Sequence, residues 1–150
     1  MAVNQYDPKA VTLTIVSPLP GVGSHTVSGY QEGTMMAAER RNNLNDLNVG
    51  SQGDSAFVLL RDKSGTITVS LQHTATSNAV FSKITTADNI SGQGVFSVQL
   101  KDHNGNAIAG ALVAKFEKDA TLERGNEIVT NEWVMLCADL ALTHGEYEAL

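Results

Sequence analysis

The side chains that most often do chemistry are sparse and scattered in this chain. Its four histidines stand at positions 25, 73, 103 and 144, and no pair has the spacing of metal ligands. Cys137 is the single cysteine, so neither a thiolate zinc set nor an internal disulfide can form. It lies in the apolar run Trp133-Val134-Met135-Leu136-Cys137 without a basic neighbour, which reads as a small buried hydrophobe. Asp102-His103-Asn104-Gly105 superficially resembles a calcium loop. It lacks the ligand spacing and closing glutamate that such a loop needs, and Asn104-Gly105 predicts a type I′ hairpin turn instead. Gly21-Val22-Gly23-Ser24 has no lysine and no following helix, so it does not cradle phosphate. Serine, histidine and aspartate all occur, but nothing in the sequence places them together and no nucleophile elbow is present. The carboxylate pairs Glu117/Asp119 and Glu146/Glu148 read as solvated surface. Asn89-Ile90-Ser91 has the composition of a glycosylation sequon in a chain without a secretion signal. No catalytic residue, metal site or cofactor is expected.

Composition narrows the classes further. The 150 residues fit one domain, 1–150, long enough to bury a core without disulfide or metal. Ten basic against sixteen acidic residues give a net charge of −6, which argues against clinging to nucleic acid, since phosphate binding rests on lysine and arginine displacing counterions. Met1 to Lys9 has no apolar h-region, and Ala10 to Gln31 is interrupted by Pro18 and Pro20. No targeting segment or membrane anchor is therefore expected.

The periodicity that must position any site is mostly of period two. Val11, Leu13 and Ile15 alternate with Thr12 and Thr14 in a first strand. Short strands follow at Thr26 to Tyr30 and Thr34 to Arg40, bent at Gly33. Strands are predicted at Ala56 to Arg61 and Thr66 to His73 around an Asp62-Lys63-Ser64-Gly65 turn. Further strands follow at Val95 to Lys101, Ala107 to Glu117 and, with a bulge, Glu127 to Leu140. Thr76-Ser77-Asn78 offers capping side chains for one short helix, Ala79 to Ala87, with Val80, Phe81, Ile84 and Ala87 on one face. Lys118 to Asn126 reads as a charged loop and Thr143 to Leu150 as a frayed tail. Arg41 to Ser55 is rich in Asn and Gly and lacks alternation; at about fifteen residues it is far longer than a hairpin needs. Leu44, Leu47 and Val49 recur within it. The fold class is mainly β, an antiparallel sandwich or half-barrel with one short helix (79–87) and one long loop (41–55).

Several segments, in order, resemble the bacteriophage tail tube proteins, which are similar to the tubes of type VI secretion systems. They are the opening strand Ala10 to Val16, Val27-Ser28-Gly29-Tyr30-Gln31-Glu32-Gly33, the block Val49-Gly50-Ser51-Gln52-Gly53, and Asp62 to Leu71 leading to Thr76-Ser77-Asn78. They continue with Asp102 to Gly105 and a last strand carrying Trp133 and Asp139-Leu140. The resemblance spans about Ala10 to Leu140, and the chain departs from it in its Pro18/Pro20 loop and its closing Glu146 to Leu150. It implies a single tail-tube-like domain and a homohexameric ring. Such rings stack into a tube around a lumen through which DNA passes without specific binding. It implies sheath, tape measure and baseplate proteins as partners, a place in the virion after assembly in the host cytoplasm, and, by preference, a contractile tail. A hexameric ring would carry about −36, a charge that suits a conduit for DNA. The long loop supplies the candidate inter-subunit contacts: Leu44, Leu47 and Val49 as buried area, Arg40, Arg41 and Asp46 as polar pairing. The alternatives are a terminator, baseplate part or secretion tube, or a carbohydrate-binding β-sandwich, for which 5% aromatic residues is a low content.

Overall fold

The computed structural model describes residues 3–145. Ten strands and one α-helix follow a 3-10 turn at Pro8–Ala10: β1 Val11–Ser17, β2 Gly23–Thr26, β3 Met36–Arg40, β4 Asn45–Val49, β5 Ser55–Leu59, β6 Gly65–Gln72, α1 Ser77–Ser91, β7 Phe96–Asp102, β8 Ala107–Phe116, β9 Thr130–Cys137 and β10 Ala141–Thr143. The main sheet is antiparallel in the order β2-β1-β7-β8-β9-β6-β3, and β10 pairs with β8. Glu146 and Glu148, and the tail beyond Gly145, lie outside the described residues.

The sheet curls until its two ends meet. Val27 donates its N–H to the Leu13 carbonyl of β1 (2.8 Å). A few residues on, Gln72 donates to Gly29 and Gln31 to Ser70 (2.9 Å each), so the same segment lies against β6. Gly29 makes this crossing possible: it has φ +81°, and a Cβ there would collide with Ala75 Cβ. Alternation sorts each strand into faces. Leu13 and Ile15, Ile67, Val69 and Leu71, Phe96 and Val98, and Trp133, Met135 and Cys137 point inward. α1 lays Phe81 and Ile84 on them, and Phe81, Phe96, Phe116 and Trp133 form one aromatic cluster with ring centroids 4.9–5.4 Å apart.

The β-rich, single-helix architecture agrees with the sequence reading, and several boundaries move. The helix begins at Ser77 and runs to Ser91, where Gly92 closes it in the left-handed conformation. Thr76 holds the N-cap position without a side-chain cap bond, and the Ser77 and Asn78 side chains bind His25, Ser28, Gln72 and Trp133 and do not cap the helix. The loop after β7 is not a type I′ turn. Its positive φ falls on Asn106 (φ 55°), while the Asn104 side chain binds Asp102 and reaches across to the backbone of Asp7. The expected last-strand bulge is an interruption between β9 and β10. β8 carries its own bulge, Leu112-Val113 opposite Ser97.

The long loop is the largest correction. Residues 45–49 are a strand, β4, and its partner is β5 in a separate two-stranded sheet. The sequence reading places Asp62–Gly65 as a turn between the strands Ala56 to Arg61 and Thr66 to His73. That turn instead connects the hairpin to β6, whose neighbours are β3 and β9.

Candidate functional site

The hairpin stands clear of the body: every residue from Arg41 to Lys63 is exposed. Its ladder pairs Asn45 with Leu59, Leu47 with Phe57 and Val49 with Ser55, and Leu60 extends it by donating to Leu44 O (3.0 Å). The tip turns through Gly50–Asp54, with Gly50 N–H on Asp54 O (2.6 Å).

Because side chains alternate, the register divides the hairpin into two unlike faces. Leu47, Val49, Phe57 and Leu59 share one face, uncovered at 54%, 59%, 77% and 65%. Asp46, Asn48, Ala56 and Val58 share the other, with the Leu44–Leu60 pair at its root. The sequence-derived candidates are thus separated: Leu47 and Val49 stand together, while Leu44 and Asp46 lie on the opposite face. Phe57, Val58, Leu59 and Leu60 were absent from that set. Of the four phenylalanines, three are in the core cluster and Phe57 is three-quarters exposed. A monomer gains nothing from such a placement.

The root is tied down more firmly than the tip. Arg41 N–H donates to Ser64 O (3.0 Å), and the Asn42 amide donates to the Asp62 carboxylate. Asp62 also accepts the Ser64 hydroxyl (2.7 Å) and N–H (2.9 Å). These bonds, the Ser64 hydroxyl first, hold its carboxyl below the usual carboxylate range. Arg40, in β3, is half-buried and donates to Leu140 O (3.0 Å), which fastens the strand entering the hairpin to the chain after β9.

The groups able to do chemistry are used for structure. His25 Nε2 lies 2.9 Å from Ser77 Oγ, a Ser–His pair joined across 52 residues that no sequence signal announces. Ser77 is wholly buried and its hydroxyl also accepts Ser28 N–H (3.1 Å), so no substrate can reach it. His73 Nδ1 accepts the N–H of Val129 (3.0 Å). Burial raises the Cys137 thiol to about 11 and leaves it un-ionised near neutral pH. Among the described residues no group of His, Cys, Asp and Glu is arranged to hold a metal ion.

The described residues form a curled antiparallel body from which an amphipathic hairpin stands bare to solvent. Residues 3–145 match the family model of the bacteriophage PhiTE tail tube protein, and the chain belongs to that family. It is 28% identical over 145 residues to structural protein ORF10 of Pseudomonas phage KPP10, covering 93% of this chain and 82% of that protein. The anti-feeding prophage cap, a tube terminating cap solved by cryo-EM, has the same fold. Its TM-score is 0.61 at 10% identity, over 97% of this chain and 95% of that one. The protein is therefore a phage tail structural protein, not an enzyme. Its family self-assembles into a tube, and its place is the virion tail.

Proposed function

We propose that this chain is the repeating subunit of the tail tube. Hexameric rings stack around a lumen, and DNA passes through it at infection without specific binding. A sheath surrounds the tube in a contractile tail, and tape measure and baseplate proteins meet it. Assembly takes place in the host cytoplasm. The observation that carries this reading is the uncovered hairpin. An isolated two-stranded hairpin is marginal in water, and this one leaves Leu47, Val49, Phe57 and Leu59 bare. It is mobile in the free subunit and orders on a neighbour, with Leu44 and Asp46 on its second face and Arg40 and Arg41 at its root. Ordering costs about 1–2 kcal/mol per residue of backbone, so the buried contact must be broad and assembly cooperative.

One test replaces Asn43 to Arg61 with a short Gly-Ser linker. The expected subunit folds by circular dichroism yet forms no tubes in negative-stain microscopy, whereas the natural chain forms rings or tubes about 100 Å across. Normal tubes without the hairpin, or a natural chain that stays monomeric at high concentration by light scattering, would overturn the reading. A tube terminator is a second reading, favoured by the fold shared with the tube terminating cap. A chain that stops at single rings would support it.

A further inference from the structure

We propose that the apolar face of the hairpin docks, in a second copy of this chain, into a groove on the solvent side of the main sheet over Gly110. The proposal rests on the tube reading above and names the acceptor surface that reading requires. The groove holds about 510 Å³. Its walls are Val16 of β1, Ile108 and Leu112 of β8 and Ala141 of β10, and its floor lies where Gly110 has no side chain. A Cβ at Gly110 would press to 3.0 Å from Val98 O. Alternation turns Leu112 outward at the β8 bulge, where it is 88% exposed, and Val16 is half exposed. This is a concave apolar surface on the face away from the core, and the hairpin is a convex apolar one in the same molecule.

Two further observations select a second copy as occupant. Asp139 lines the groove and Arg61 closes the hairpin root beside Leu60; neither forms an ion pair among the described residues. Their opposite charges set the register as the apolar face seats. The groove rim is also continuous with the donor's own root. Leu140, between the lining residues Asp139 and Ala141, donates its N–H to Lys63 O (2.8 Å) and accepts from Arg40 (3.0 Å). Knob and hole therefore belong to one tied unit. A contact between two different patches of one chain is heterologous, so it repeats into rings or filaments instead of closing as a dimer.

The test is a cysteine pair, Phe57→Cys with Leu112→Cys, in the full chain. Cys137 stays buried and silent. Oxidation of assembled tubes is expected to give a ladder of covalent multimers on a non-reducing gel, and either single variant is expected to run as monomer. In parallel, amides of Ile108 to Leu112 in the unaltered protein should exchange about tenfold more slowly in tubes than in the free subunit. Tubes that give neither ladder nor added protection overturn the groove and leave the tube reading standing. A natural chain that builds no tube overturns both. If the paired variant fails to assemble, the exchange measurement decides alone.

Discussion

Asn78 shows how much of this fold is fixed by single polar side chains placed inside it. It stands in the first turn of α1, where sequence preference marks a cap, and does something else. Its amide nitrogen donates to Gln72 O (2.9 Å) and Ala75 O (3.0 Å), and its oxygen accepts the indole N–H of Trp133 (2.9 Å). One side chain thus joins the end of β6, the start of α1 and the middle of β9. Asn78→Ala leaves the indole N–H without its partner, while the Gln72 and Ala75 carbonyls keep the backbone N–H groups of Ala75 and Asn78, and a cost of about 1–3 kcal/mol is expected. Trp133→Phe removes the stranded donor, so adding it to Asn78→Ala should cost about 1 kcal/mol less than in the natural background. Urea unfolding of the unassembled subunit measures both; strictly additive effects would show that the bond carries no weight. That Trp133 belongs to the core was legible from its strand alternation. Its partner was not, because 55 residues separate the two and nothing local links them.

Element by element, the sequence speaks where one face is buried and falls silent where none is. β1, β6, β7 and β9 were legible because burial forces strict alternation on them. β4 reads Asn-Asp-Leu-Asn-Val, with poor strand formers at three of five positions. β5 reads Ser-Ala-Phe-Val-Leu, apolar on both faces and so without a period. Only the pair Leu47/Val49 carried the signal, and counting Leu44 with them obscured it. Pairing β5 with β6 across the short turn would be the locally cheaper choice, yet β6 is filled on both edges by β3 and β9. The same contrast predicts dynamics. Amides of Asn45–Val49 and Ser55–Leu59 should exchange within seconds to minutes in the free subunit, because their bonds are solvent-bathed and unsupported by packing. Those of β6 and β9 should persist toward the global unfolding limit. In assembled tubes the hairpin amides should slow to the body's rate. A hairpin already protected in the monomer would mean that it does not order on assembly.

For the whole molecule, the question is how an acidic chain tolerates many copies of itself. Each subunit carries −6 and, among the described residues, one ion pair, Lys115–Asp88 at 3.0 Å, which lies on the surface and contributes little. Net charge therefore opposes assembly, and the proposed driving contact is apolar: the exposed hairpin face of Leu47, Val49, Phe57 and Leu59. Salt separates these terms. The screening length is about 30 Å at 0.01 M and about 8 Å at 0.15 M, so subunits that repel across their full width in dilute buffer scarcely do so at physiological strength. Sulfate additionally strengthens apolar burial. The critical concentration for tube formation, followed by light scattering or pelleting, is expected to fall as sodium chloride rises over this range and to fall further in sulfate. A single pair such as Arg61–Asp139 at each contact would weaken with salt, but by less than the relief of repulsion between whole subunits, since an exposed pair is worth about 1 kcal/mol or less. A critical concentration that rises steadily with salt would mean that ion pairs hold the tube together, and the hairpin's apolar face would lose its role as the driving contact.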